Sequence, residues 1–304
     1  MPKEKAILFW QYWIDAVISN GVAKEDAWQL AVKVSQVSYA SLRANQDRLQ
    51  ISQQQIHLFS VLIHKYLSGV PLAYLLGEQF FMGYSFEVDE RVLIPRVDTE
   101  VVVLQVLDCL RDHLQRRATT EQTPLVLLDM GTGSGVIAIT TYLEWKKLSS
   151  FPLRVIGVDV SHSALQVAEK NASRLLGDEA SQYFQWVCSD WFSSLDQAKM
   201  GLVDVVVSNP PYIPVQDIHL SLGGLHFEPQ QALTDFGDGL YHLKQVIGGA
   251  RSFLKPNAWA VVEHGFDQQI EVQQIYRYFG FVDVQTKWDQ GGNPRCTFAK
   301  FIAE

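Results

Sequence analysis

The chain has 304 residues, enough for one large or two medium domains, and its 47% hydrophobic content supports a sizeable core. No apolar run approaches the roughly 18 residues that span a bilayer, and Met1-Pro2-Lys3-Glu4-Lys5 leads into no signal-peptide pattern, so a cytoplasmic protein without a membrane role is expected. The net charge of −8 is uneven: residues 1–70 carry +2 and residues 71–304 carry −10, a sign that repels a phosphate backbone and argues against direct nucleic-acid binding.

Three scattered cysteines, Cys109, Cys188 and Cys296, do not suggest a disulfide framework or a zinc site. They read as buried free thiols. The eight histidines show no metal-ligand spacing and read as structural, so no metal is expected.

In chain order, a helical head comes first. Trp10, Trp13, Ile14 and Val17 share one face of a first helix, and Leu58, Phe59, Leu62 and Tyr66 share a face of a later one. Asn20-Gly21 and Ser68-Gly69 mark helix ends. The plain reading is a small bundle with an aromatic core. Between residues 78 and 92, Phe86 and Val88 alternate with Glu87 and Asp89, which predicts two short strands. From Asp98 onward a helix precedes strands near 124–129, 153–159, 183–188, 202–208, 257–263, 281–288 and 295–302, with helices between most of them. The last two strands flank the short turn Asp289–Pro294 and should be antiparallel neighbours. Residues 213–237, which contain Gly223-Gly224, lack periodicity and read either as a substrate-side loop or as surface disorder.

Three strand ends carry ligand-binding chemistry. After Leu125–Asp129 comes Met130-Gly131-Thr132-Gly133-Ser134-Gly135 and then a helical pattern, a strand-to-helix turn whose glycines let the backbone approach a ligand. The spacing is G-x-G-x-G, neither the dinucleotide fingerprint nor a P-loop. Asp159 ends the next strand, where an acid can accept from both hydroxyls of a ribose. Asp190 and Trp191 follow the third strand and could meet an adenine, by its amino group and its face respectively.

Asn209-Pro210-Pro211-Tyr212 follows the run Leu202–Ser208. Two prolines stop both pairing and helix, so Asn209 and Tyr212 are held on a stiff backbone at a strand's C-terminal end. The tetrapeptide offers an amide oxygen, a prolyl carbonyl and an aromatic face, which suit a planar NH2 on a conjugated system. Such an NH2 is a poor nucleophile; in an amide the conjugation gives a rotation barrier of roughly 18–20 kcal/mol. Two acceptors on its hydrogens would hold the nitrogen and let its lone pair localise toward an electrophile. Alone, the stretch could also be a proline-rich turn.

Together these motifs resemble the class I S-adenosylmethionine-dependent methyltransferases of the N-P-P-Y group. The flanks narrow the resemblance: Pro71–Gly77, Val92-Leu93-Ile94-Pro95-Arg96-Val97-Asp98-Thr99-Glu100, Phe227-Glu228-Pro229, Asp238-Gly239-Leu240 and Glu263-His264-Gly265. From Pro71 to the C-terminus this set looks like the HemK/PrmC family, which methylates a glutamine in peptide chain release factors. One departure is Val97, where a second proline would be typical, which suggests a looser segment.

The resemblance implies an α/β, Rossmann-like fold: a seven-stranded sheet of six parallel strands and one reversed. It implies a helical substrate-recognition domain over 1–75, a β-hairpin linker over 76–93 and a methyltransferase domain over 94–304. Gly131, Thr132, Gly133, Ser134 and Gly135 would line the methionine part of S-adenosylmethionine, with Asp159 at its ribose and Asp190 and Trp191 at its adenine. Asn209 and the Pro210 carbonyl would bind the target amide, with Pro211 and Tyr212 in its pocket; Asn209, Pro210 and Tyr212 would be the catalytic set, with Asn209 also near the cofactor. The implied activity is methylation of the side-chain nitrogen of the G-G-Q glutamine of release factors by a monomeric enzyme. Other targets for the same motif are a ribosomal-protein glutamine or a nucleic-acid amino group, against which stand the acidic body and the absence of an added target-recognition domain. A non-catalytic cofactor-binding scaffold would be expected to have lost Asn209 or a loop glycine, and this chain keeps both.

Overall fold

A computed structural model describes residues 9–117, 123–221 and 224–302 of the chain. The chain divides into two compact units, Met1–Glu78 and Gln79–Glu304. Within the first unit, helices run over Trp10–Ser19 (α1), Lys24–Ser35 (α2), Tyr39–Asn45 (α3), Gln53–Leu67 (α4) and Leu72–Leu76 (α5). Ser52 and Gln55 form a reciprocal capping box that starts α4 and satisfies two end N–H groups. Trp10 and Ile14 of α1 are buried, and Trp10 meets Phe59 edge-on at 5.6 Å between ring centres. The inward face of α4 is Ile56, Phe59, Leu62, Ile63 and Tyr66. Leu58 does not belong to it and is 46% exposed.

A hairpin of Glu78–Phe81 (β1) and Tyr84–Glu87 (β2) follows, all but its first residue belonging to the second unit. Its turn residues Met82 and Gly83 both have positive φ, which matches the twist of a two-residue hairpin. Phe81 and Phe86 are buried in the core of this unit.

The main sheet has seven strands: Leu125–Met130 (β3), Leu153–Asp159 (β4), Phe184–Cys188 (β5), Val203–Ser208 (β6), Leu254–Glu263 (β7), Val282–Trp288 (β8) and Pro294–Lys300 (β9). Their order is β5-β4-β3-β6-β7-β9-β8. All pairs are parallel except those of β9 with β7 and β8, so one strand of the seven is reversed. Every residue of β3 and β6 is buried. Alternation sends Leu125, Leu127, Val155 and Val207 to one core, with helices Glu100–Arg116 (α6) and Val136–Leu148 (α7). Val126, Leu128, Ile156 and Val206 go to the other, with Tyr241–Ala250 (α11) and Gln269–Tyr278 (α12). Three more helices, His162–Leu176 (α8), Glu179–Tyr183 (α9) and the short Gln197–Met200 (α10), lie between α7 and α11 in the chain. Strands covered on both faces read as continuous apolar runs, which is why they are legible in the sequence. Each fully buried Val or Leu here contributes about 1.5–3 kcal/mol.

One detail differs from the sequence reading. Cys188 ends the edge strand β5 and is exposed, whereas Cys109 and Cys296 are buried free thiols. The described part of residues 213–237 is a loop with three 3₁₀ turns, with Ile213 bridging Thr234; Gly223 lies outside the described residues. Among the described residues no helix is long and apolar enough to cross a membrane.

Candidate active site

The strand order sets the site. From β3 the chain winds outward through β4 and β5, and from β6 it winds the other way through β7. The C-terminal ends of β3 and β6 therefore flank a topological switch point, where a crevice is left open. Ser208 Oγ donates to the Met130 carbonyl at 2.6 Å and ties these two ends together. A cavity of about 430 Å³ lies there, lined by the glycine loop, the end of β4, residues 189–191, Asn209, Pro211, the segment 91–96 and parts of the stretch from Pro229 to His242, Asp235 and His242 among them.

The glycine loop leaves β3 and enters α7. Gly131, Gly133 and Gly135 have φ of 72°, 54° and 79°, a left-handed backbone that side chains resist. At Gly135 a Cβ would also come within 2.8 Å of Ile139 Cδ1 and 3.2 Å of Ala168 Cβ. Buried Asp129 accepts from Thr132 Oγ1 at 2.6 Å, and burial pushes its carboxyl up to about 7 against the pull of that hydroxyl. Asn171 of α8 donates to the Ser134 carbonyl and brackets Glu87 of the hairpin through both its N–H and its carbonyl, so β2 is fastened to the glycine loop.

On the β4 side, Asp159 accepts from the Gly133 N–H at 2.9 Å and the Ser161 N–H at 2.9 Å. Burial raises its pKa, and these N–H groups oppose the rise. Trp191 sits over Gly131, with ring atoms 3.6 Å from where a Cβ would stand, and has the left-handed φ of 47°. Its Nε1–H donates to His242 Nδ1 at 3.2 Å. Burial lowers the pKa of His242, against the charges of Asp235 and Asp190. Exposed Asp190 lines the cavity beside Trp191.

On the β6 side, Asn209 Nδ2 donates to Thr99 Oγ1 at 3.3 Å. The amide oxygen of Asn209 is thereby left for a donor in the cavity. Pro210 and Tyr212 stand behind the wall and do not line it. The Tyr212 hydroxyl donates to Glu263 Oε1 at 3.0 Å, at the end of β7. Glu263 is 1% exposed, and burial pushes its carboxyl up to about 7, with the hydroxyls of Thr99 and Tyr212 and the charge of Arg295 pulling it down. The Tyr212 carbonyl accepts from Gln268 Nε2 at 2.9 Å.

Two loops close the cavity. Glu228, 4% exposed, accepts from the Ile94 N–H at 3.0 Å and pairs with the Arg96 guanidinium. The segment before α6 is thus held at two points despite Val97, which begins a 3₁₀ turn and is exposed. Asp235 accepts from the N–H groups of Gly237, Gly239 and Tyr241 at 2.8–3.0 Å. Burial would raise its pKa, and those three N–H groups together hold it below the usual carboxylate range.

The donor set fits S-adenosylmethionine. Asp159, Asp190 and Asp235 reach the cavity, which suits a cationic ligand. Arg91 and Arg96 also reach it, but each is paired, with Asp89 and Glu228. Trp191, Phe236 and Tyr241 supply aromatic surface for a purine.

Residues 108–234 match the family model described as methyltransferase small domain, and residues 13–77 match the PrmC N-terminal domain. A release factor glutamine methyltransferase of Bordetella pertussis is 36% identical over 93% of this chain and 97% of its own length. The chain belongs to the release factor glutamine methyltransferase family. A second relative of that name, from Vibrio cholerae, is 37% identical over 80% of this chain and 78% of its own length. The solved human methyltransferase 10 domain containing protein shares the fold, with 17% identity, a TM-score of 0.51, and coverage of 84% of this chain and all of that one. As a member of this family the chain is an S-adenosylmethionine-dependent methyltransferase.

For this family member, the structure brings Gly131, Thr132, Gly133, Ser134, Asp159, Asp190, Trp191, Asn209 and Pro211 to one cavity. Gly135 packs beneath the loop rather than lining it. Thr99, Asp235 and His242 also line the cavity, and no role for them was drawn from the sequence. Thr99 and Asp238-Gly239-Leu240 stood inside quoted motifs, which was the one available signal; His242 had none.

Proposed function

We propose that this chain methylates the side-chain amide nitrogen of a glutamine in peptide chain release factors, with S-adenosylmethionine as donor. The observation that carries the reading is the orientation of Asn209: its NH2 is spent on Thr99, so its oxygen is free to accept an amide N–H at the switch-point cavity. Membership of the release factor glutamine methyltransferase family supplies the target class.

When bound, S-adenosylmethionine supplies an electrophilic methyl group on sulfur. Gly131 to Ser134 would hold its methionine part, with Gly135 packed beneath them, Asp159 its ribose, and Asp190 and Trp191 its adenine. Asn209 Oδ1 would take one hydrogen of the target NH2 at the cavity wall; the Pro210 carbonyl, from a residue that does not line the cavity, would take the other where the target glutamine reaches past the lining. That arrangement fixes the nitrogen and favours a localised lone pair directed at the methyl group. One of the two hydrogens departs as a proton once the nitrogen gains its methyl, so no strong base is needed beforehand. Tyr212 acts from behind, its hydroxyl on Glu263 and its carbonyl on Gln268 anchoring the tetrapeptide. The helical unit helps to grip the release factor.

The test is methyl incorporation from labelled cofactor into purified release factor, into a short G-G-Q peptide and into duplex DNA. The intact release factor is expected to be the best substrate, because binding away from the reacting centre aligns the amide. The net −10 charge of residues 71–304 predicts no DNA methylation. Robust transfer to DNA adenine with none to release factor would overturn the proposal.

A further inference from the structure

We infer that His242 is a positioning residue: its bare Nδ1 takes the Trp191 indole N–H and fixes that ring against Gly131, which sets the surface that the cofactor's adenine meets. The inference rests on the reading of Trp191 as the adenine neighbour.

Trp191 follows β5 in a tight turn and has a φ of 47°. A left-handed backbone is rare and costly for so bulky a side chain, and it persists only where the surroundings hold it. The turn itself holds the backbone: the Ser193 N–H donates to the Asp190 carbonyl at 3.0 Å, and the Ser194 N–H donates to Ser189 Oγ at 3.0 Å. The indole needs a separate hold, because the outer torsion of a tryptophan side chain is broad and roughly two-fold. Its six-membered ring lies 3.6 and 3.7 Å from where a Cβ of Gly131 would stand. That contact is apolar and has no direction. The bond from Nε1 to His242 Nδ1, at 3.2 Å, does have one. A half-turn of the indole would carry its N–H away from His242 and break the bond. A ring fixed before the ligand arrives spares the complex the cost of ordering it.

An indole N–H can only donate, so Nδ1 is the bare nitrogen and the proton of neutral His242 sits on Nε2. The fold favours the neutral ring. His242 is the second residue of α11, and a helix N-terminus opposes positive charge. Burial works in the same direction, while the charges of Asp235 and Asp190 oppose it. Asp235 already accepts three backbone N–H groups, those of Gly237, Gly239 and Tyr241. The Tyr241 ring meets the imidazole edge-on at 5.2 Å between centres. His242 also lines the cavity, so a direct contact with the ligand is the alternative that a test has to separate.

The experiment is calorimetry with S-adenosylhomocysteine and steady-state kinetics on a release factor, using the full chain. The variants are His242→Phe, His242→Asn, Trp191→Phe, Trp191→Ala and the double variant of His242→Phe with Trp191→Phe. Phenylalanine keeps a ring at position 242 and removes the acceptor, whereas asparagine can place an amide oxygen near the Nδ1 position. His242→Phe should weaken S-adenosylhomocysteine binding about five- to tenfold, the scale of one hydrogen bond. The KM for the cofactor should rise by a similar factor, with kcat at saturating cofactor and the KM for release factor nearly unchanged. His242→Asn should restore most of the affinity. In the Trp191→Phe background, which lacks the N–H, adding His242→Phe should cost less than about twofold, because the two residues act through one bond. If His242→Phe does not fold, His242→Ala takes its place in the same cycle. Parent-like affinity of the position 242 variant overturns the inference. So does a loss as large in the Trp191→Phe background as in the parent, which would assign His242 a direct contact with the ligand. Both results leave the proposed function standing. Parent-like affinity of Trp191→Ala overturns the reading of Trp191 beneath it.

Discussion

Asp159, proposed to hold the cofactor's ribose, also has a structural part. Its two oxygens take backbone N–H groups of the glycine loop and of the turn after β4, yet each carboxylate oxygen can accept again. Asp159→Ala is therefore expected to weaken S-adenosylhomocysteine binding by about 1.5–3 kcal/mol, the range for a hydrogen bond to a charged group. Calorimetry checks this, and an unchanged affinity would remove Asp159 from the cofactor site. At this scale the sequence showed the residues that leave strand ends, because a strand followed by glycines, an acid or two prolines is a local signal. It did not show His242 under Trp191 or Thr99 beside Asn209, since those partners lie 51 and 110 positions away. Nor did it show that Tyr212 faces Glu263, because a motif gives a residue's place and not its rotamer.

Among the elements, the motif segments quoted one by one from the sequence turn out to be parts of a single wall. Glu228 holds Ile94 and Arg96, and Gly239 passes the carbonyl of Tyr212 so closely that a Cβ there would stand 2.2 Å from it. Gly239 also has a left-handed φ of 79°. Gly239→Ala must push back the backbone of the N-P-P-Y stretch, at a cost on the order of 1–3 kcal/mol. Thermal unfolding should show the loss, and kcat should fall more than cofactor affinity, because the displaced group is on the substrate side. Equal stability and equal kcat would mean that this packing does not set the position of Tyr212. Strands buried on both faces were legible nearly to the residue. The inward face of α4 was legible in part: Phe59, Leu62 and Tyr66 lie on it as the period suggests, Ile56 and Ile63 join them, and Leu58 is left exposed at the edge of the stripe. Cys188 was misplaced because a sequence does not mark which strand will form a sheet edge.

At the scale of the molecule, the switch point of one sheet joins the proposed cofactor cradle on β3 to β5 with the proposed amide clamp on β6, and β7 supplies the buried acid behind it. The central claim is that this clamp, through Asn209, delivers a release factor glutamine for methylation. It is tested most directly by peptide mass spectrometry of a release factor incubated with the parent or with Asn209→Ala, both saturated with cofactor. The parent is expected to place one methyl group on the side-chain nitrogen of the G-G-Q glutamine. Asn209→Ala is expected to be slower by about 10²–10³-fold, the loss typical of one positioned catalytic group, with cofactor affinity changed far less. Methylation at another position, or an Asn209→Ala rate within threefold of the parent, would contradict the account.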